Sequence, residues 1–271
     1  MTTRLLDTIR QGTEVFDLGR EFVPGMPQSP NHPAYTHALQ RRHGDMVRAD
    51  GGSAANDFIS MGTHVGTHMD ALAHVSHCGE LYGGIPVEDA VAGGRFTKLG
   101  IDSVSPVVAP GILLDIPSAL GVEQCEPGYE ITPDDLDAAV RAQGTKPRPG
   151  DVLLVRSGWD LNWNDRERYI GRESGVPGVG EAGAEWLADH DPRAVGADTI
   201  AFEHLAPGNG HALLPAHRVL LVERGINIIE TMNLQGLAAS GHRQFLFMVS
   251  PLAFVGATGS PVRPLAIVEA A

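Results

Sequence analysis

Cysteine is scarce in this chain: among 271 residues only Cys78 and Cys125 occur. Two thiols cannot build a disulfide framework, and nothing points to an oxidising compartment. Cys78 follows a histidine-rich run and invites a ligand or nucleophile role, but a small semi-buried residue near a turn is the favoured reading. Basic charge is also short. Against 33 Asp and Glu stand 20 Lys and Arg, a formal net charge of −13, which argues against binding nucleic acid or anionic membrane through a basic face. No run of ~18 apolar residues exists, so no membrane-spanning helix is expected. The stretch from Met1 to Gly19 lacks the apolar segment of a signal peptide, and a cytoplasmic protein is the expectation. A Gly-x-Ser-x-Gly elbow is missing too, and Arg156-Ser157-Gly158 lacks its context, which argues against a serine nucleophile.

What is present is enough for a core: 42% hydrophobic and 20% charged residues. Gly (33) and Pro (19) are spread evenly rather than gathered into a linker, so residues 1–271 read as a single domain without internal repeats. Val15–Gly19 reads as a first strand, followed by the turn-rich loop Val23–Pro33. Thr132 as N-cap, Pro133 at the first helical position and Asp134 and Asp135 behind it start a helix that Gly144 ends. Further helices are expected at 181–189 and 215–224, the latter stopped by Gly225. Short apolar runs at 112–116, 152–157, 226–229, 245–249, 252–256 and 265–268 read as buried strands. They cluster late without helices between them, which speaks against a simple alternating βαβ fold. A β-rich core with peripheral helices fits better.

The informative stretch is residues 61–79, which holds four of the twelve histidines. Its centre is His64-x-Gly66-Thr67-His68-x-Asp70-x-x-x-His74. Imidazole and carboxylate are borderline ligands that hold Zn²⁺ or Mn²⁺ with positions left for water, whereas closed structural zinc sites normally use thiolates. Fully extended, His64 and His68 would lie ~13 Å apart. In a continuous helix those two share a face, but Asp70 points away. The chain must therefore turn at Gly66-Thr67, after which His68 and Asp70 face one side in extended geometry. If residues 70–77 coil, His74 and His77 follow Asp70 on one face, placing an unligated imidazole beside the metal. His77 reads more readily as a surface residue.

A second cluster comprises Glu203, His204, His211, His217 and Glu230. Glu230 closes an apolar strand, where a carboxylate must be paired, protonated or bound to a cation. A salt bridge to a local arginine is the competing reading. Trp159 and Trp163, with Arg166, Arg168 and Tyr169 after them, read either as an aromatic wall for a cyclic substrate or as anchors for an irregular loop.

At these residues the chain resembles the cyclase-like metal-dependent hydrolases, the family of bacterial kynurenine formamidase and isatin hydrolase. The family hallmark His-x-Gly-Thr-His-x-Asp-x-Pro-x-His runs here from His64 to His74. Looser likeness extends through Asp17-Leu18, Pro24–Pro33, Arg156-Ser157-Gly158-Trp159 and the segment ending at Glu230. The resemblance implies an α/β (α+β) fold of the swivelling β/β/α type, with helices around a β-barrel-like core, in homodimers or homotetramers. It implies Zn²⁺ or Mn²⁺ on His64, His68 and Asp70, with His74 as acid/base. In two-metal members a later His and Glu complete the site, here His217 and Glu230. There are two departures. Leu72 replaces the usual Pro, and the segment from His217 to Gly225 is one residue longer than in formylkynurenine-cleaving members, which leaves one metal or two open.

The reaction so implied is hydrolysis of an amide, cyclic amide or imide, or lactone bond in a small, aromatic or cyclic substrate. Water activated by the ion attacks, and His74 moves the proton, with Glu230 orienting it or binding a second ion. A dedicated formylkynurenine enzyme and a non-catalytic metal-containing ligand binder are the alternatives.

Overall fold

The computed structural model describes residues 2–270. Nine strands form one sheet: β1 Thr13–Asp17, β2 His68–Asp70, β3 Val107–Asp115, β4 Val152–Arg156, β5 Ala194–Ala197, β6 Asn227–Glu230, β7 Gln244–Val249, β8 Gly259–Pro261 and β9 Leu265–Glu269. Their spatial order is β1-β9-β7-β3-β4-β5-β6-β2-β8, and the sheet curls into a half-barrel with helices outside it. The mixed α/β architecture anticipated from the sequence is the one observed.

The strands buried on both faces have near-continuous apolar sequences, as they must. In β4, Leu153 and Val155 face one core, with Leu136, Leu187 and Leu220 from the helical side. Val152 and Leu154 face the other, with Leu113, Ile229 and Phe247. That alternation is the two-residue period of a strand. Helix α1 (Pro133–Gln143) starts as expected: Thr132 accepts from the Asp135 N–H and the Asp135 side chain returns the bond, a full capping box, and Gly144 ends it at φ 62°. Helix α2 spans Glu181–Asp189.

Three expectations need correction. First, β3, β4, β5 and β6 are mutually parallel, with α1 leading to β4, α2 to β5 and a further helix to β6. The middle of the chain is therefore alternating βαβ; only the flanks are antiparallel. Strand β5, with the small residues Ala-Val-Gly-Ala, gave no apolar run to reveal it. Second, residues 252–256 are not a strand: Leu252 and Val255 are exposed, and no strand pairs with them. Third, residues 70–77 do not coil. After one turn closed by His74 N–H to the Ala71 carbonyl, the Ala71 and Ala73 amides go instead to Thr258 and Leu99, so no helical ladder can propagate.

The helix after β5 begins as α3 (Pro215–His217) and continues as a π-helix over Arg218–Glu223. Its bonds are wide: Arg224 N–H reaches the Val219 carbonyl and Ile226 N–H the Leu220 carbonyl. A π turn holds more residues than an α turn. His217 closes the α-helical turn from which the π-helix continues.

Candidate metal centre

The site is built from the bend between His64 and His68. Gly66 adopts φ 67°, left-handed backbone that favours glycine. Any side chain there would also collide with the Phe22 ring, 2.6 Å from an ideal Cβ. Thr67 is fully buried and locks the bend: its hydroxyl donates to the Thr231 carbonyl at 2.7 Å and accepts the Arg20 N–H at 2.9 Å. The chain then enters β2 as His68-Met69-Asp70, fully buried.

Strand register does the rest. Strand β2 lies between β6 and β8, with His68 opposite Glu230 and Asp70 opposite Gly259. Gly259 leaves room for the His64 imidazole, whose Cε1 would sit 2.6 Å from a Cβ at that position. The result is a buried cluster. His64 Nδ1 lies 2.7 Å from Asp70 Oδ1, and its Nε2 2.9 Å from the Thr258 hydroxyl. His68 Nε2 is 3.4 Å from both Asp70 Oδ1 and Glu230 Oε2. His217 Nε2 is 3.1 Å from Glu230 Oε1 and 3.8 Å from Asp70 Oδ2. His74 stacks on His64 with ring centroids 3.8 Å apart.

Donor atoms of His64, Asp70 and His74 fall within 4.8 Å of one another, as do those of His68, Asp70 and Glu230. Asp70 belongs to both groups, so its carboxylate is common to either candidate position. Asp70 Oδ2 is buried and has no hydrogen-bond partner, which is costly for a carboxylate oxygen unless a cation completes it. His68 donates its Nδ1 proton to the Gly66 carbonyl at 2.8 Å, leaving Nε2 to face the carboxylates. The donors are imidazole nitrogens and carboxylate oxygens, with no thiolate. The residues fit a divalent metal ion.

Electrostatics say the same. Burial acts to lower the His68 and His217 pKa values, but carboxylate hydrogen bonds override it. Asp70 and Glu230 take His68 up to about 10, and Glu203 and Glu230 take His217 there too. Burial likewise acts to raise Asp70, yet His74 and His64 hold it well below the ordinary carboxylate range. Glu230 is lowered against both its burial and the Asp70 charge, through its bonds to His217 and His68. The pocket's carboxylates demand positive charge. His74 differs: burial pulls it down to about 4, the attraction of Asp70 being offset by His64 and His217.

The salt bridge weighed for Glu230 has imidazoles, not an arginine, as its partners. His77 is exposed and outside the cluster. Cys78 is exposed, and Cys125 is buried with its thiol pushed up to about 12 by desolvation, then by the Asp198 charge. Trp159 and Trp163 do not line the cavity above the cluster. Trp159 is wholly buried with its indole N–H on the Tyr169 carbonyl. Trp163 packs edge-on to Tyr169 and under the Arg20 guanidinium. The anchoring reading holds for both.

That cavity, about 240 Å³, is walled by His64, His68, His217 and Glu230 and by residues the sequence did not single out as contacts: Ser29, Asn31 and His32 from the proline-rich loop, and Ile200 and Ala201. His211, less specific in sequence, also lines it. For His32 the available signal was an imidazole inside a loop otherwise made of turn-formers.

Comparisons with known proteins bear on the family and the fold. A family model described as "Putative cyclase" matches residues 16–204. Cyclase-like protein 2 of Arabidopsis thaliana is 27% identical over 263 residues, covering 94% of this chain and 79% of the relative. Isatin hydrolase of Roseibium aggregatum is 26% identical over 228 residues, covering 82% and 78%. The crystal structure of a novel cyclase superposes with a TM-score of 0.85 at 30% identity, covering 98% of this chain and 93% of that one. Isatin hydrolase A from Ralstonia solanacearum shares the fold, with a TM-score of 0.74 at 23% identity over 99% and 97%. With the family model spanning most of its length, the chain belongs to the cyclase family.

Proposed function

We propose that the protein is a divalent-metal-dependent hydrolase that opens an amide, cyclic amide or imide, or lactone bond in a compact substrate. The observation that carries this reading is the unpartnered Asp70 Oδ2, buried against imidazoles and Glu230 that themselves line a cavity. His64, His68, Asp70, His217 and Glu230 would hold Zn²⁺ or Mn²⁺, as one ion or two. When bound, such an ion lowers the pKa of water toward 7 and polarises a carbonyl oxygen.

The remaining roles fall to the chain. His74 is partly open to the cavity and, with its pKa near 4, is neutral at physiological pH. A neutral imidazole there accepts a proton from the attacking water. Its imidazolium is then held by the Asp70 charge and returns the proton to the leaving nitrogen or oxygen. Stacking on His64 fixes the ring plane throughout. Among the described residues no lysine or arginine lines the cavity, so no guanidinium or ammonium there is set against a substrate carboxylate. This favours an uncharged cyclic carbonyl compound over an amino-acid amide such as formylkynurenine, and agrees with the named activity of the isatin hydrolase relative. A soluble homo-oligomer acting in the cytoplasm, without nucleic-acid or membrane partners, completes the proposal; no described helix is long and apolar enough to cross a membrane.

The test is His74→Ala assayed on a panel of lactams, imides, lactones and N-formyl arylamines, with metal content measured in parallel. Retained metal with turnover lowered about 10²–10⁴-fold is expected. Undiminished turnover removes His74 from the mechanism. A wild-type protein that binds panel members without turning any over is the non-catalytic binder instead.

A further inference from the structure

Glu203 is a carboxylate with no exposure at all, placed among Ile200, Ala201, Phe202 and Leu205. It is none of the ligands above, and it is not part of the proton path. Every hydrogen bond its side chain makes goes to one place. Its Oε1 accepts the Ala216 N–H at 2.8 Å, and its Oε2 accepts both the His217 N–H at 3.0 Å and the His217 Nδ1–H at 2.9 Å. The same side chain thus ties down the start of α3 and the ring that projects from it. Its own backbone is held firmly. Phe202 just before it has φ 56°, strained for a residue with a side chain, and Glu203 bridges to Val179. Gly178 lies directly against its carbonyl, where a Cβ has no room.

We infer that Glu203 is the positioning residue of the metal centre: by accepting the Nδ1 proton of His217 it fixes that ring's orientation and tautomer, so that Nε2 faces Asp70 and Glu230 with a free lone pair. This rests on the metal-site reading above. An imidazole can offer an ion only one unprotonated nitrogen, and the partner of the other nitrogen decides which. Here Nδ1 is committed to Glu203, while Nε2 lies 3.1 Å from Glu230 and 3.8 Å from Asp70. Without Glu203, the π-helical turn that follows leaves the ring free to rotate or to switch tautomer. Charge matters as well as direction, since a carboxylate behind the imidazole raises its basicity toward the ion.

The experiment compares full-length wild type, Glu203→Ala and Glu203→Gln. Dissociation constants for Zn²⁺ and Mn²⁺ come from competition with a chromophoric chelator. The His217 tautomer in the zinc-loaded protein comes from ¹⁵N NMR. In Glu203→Ala, metal affinity should fall about 10–100-fold, and the Nδ1–H signature should be lost while circular dichroism stays native. Glu203→Gln keeps a carbonyl acceptor and should recover part of the affinity; it also serves if the alanine variant does not fold. Turnover should fall in kcat, with KM changed less than about threefold if His217 acts only through the ion. Unchanged affinity and tautomer in the folded variants, with only thermal stability lowered, would reduce Glu203 to a helix anchor and overturn the inference. A wild type that binds neither ion would instead overturn the metal centre itself.

Discussion

The protein buries two clusters of charge, and they behave in opposite ways. At the metal centre, Asp70 and Glu230 are surrounded by imidazoles, and both carboxyl pKa values are held down despite burial. At the carboxyl end of the parallel strands, Asp115 pairs with Arg156 at 2.8 Å and Arg243 at 3.2 Å. Nearby Asp198 accepts from the Ser157 amide and hydroxyl and from the Gly158 amide, and Asp160 accepts from the Leu234 amide. There burial wins: Asp198 is raised, and Asp160 is pushed up to about 7 by desolvation and then by the Asp198 charge. The second cluster is closed, its carboxylate oxygens answered by guanidinium groups and backbone N–H groups. The first opens on a cavity and leaves Asp70 Oδ2 unanswered. Buried charge alone does not make a site. An open valence, a cavity and partners that can surrender protons to a metal do.

Asp70→Asn attacks the open cluster at its shared ligand and should have the largest effect. Metal should be lost, and turnover should fall by more than the about 10²–10⁴ assigned to a single acid–base group, with a native circular dichroism spectrum. Full metal content would sever the link between the orphaned oxygen and the ion. Arg156→Ala attacks the closed cluster and should do the converse. Removing one partner of a buried pair costs roughly 3–5 kcal/mol, and Arg243, still on Asp115, argues for the low end. Denaturant unfolding should show that loss, with metal stoichiometry unchanged; a metal deficit would merge the two clusters into one unit.

The finest distinction is in pH. With its pKa raised toward 7, Asp160 in the folded chain holds a proton that the unfolded chain gives up near pH 4. Its contribution therefore grows less favourable as pH rises from about 4 to about 7, then levels off. The low pKa values of Asp70 and Glu230 give stability that is lost only as pH falls below the ordinary carboxylate range. Thermal unfolding across pH 4–7 should show the midpoint deficit of Asp160→Asn relative to wild type shrinking as pH rises, even though the lost bonds lower its midpoint throughout. Parallel profiles would remove Asp160 from the titration.

Legibility followed the range of the interactions. The Gly66-Thr67 bend could be read because only a turn reconciles His64, His68 and Asp70, and the helix at Pro133–Gln143 because its capping signals are local. Family resemblance supplied roles for His217 and Glu230, and the structure brings the two side chains within 3.1 Å of each other. Thr258 and the cavity wall from Ser29 to His32 were out of reach, acting across long sequence separation, 194 positions for His64 and Thr258. Glu203 stood in the second cluster, but its bond to the His217 ring, 14 positions on, was not legible. Trp159 and Trp163 stayed ambiguous because an aromatic pair beside arginines looks alike whether it faces a ligand or a core.

X-ray anomalous scattering from zinc- or manganese-loaded crystals tests the central claim most directly. The account predicts a peak bounded by the Asp70 carboxylate, Glu230 and the imidazoles of His68 and His217, or two peaks sharing Asp70. Metal-loaded, active protein whose anomalous density lies away from Asp70 would contradict it.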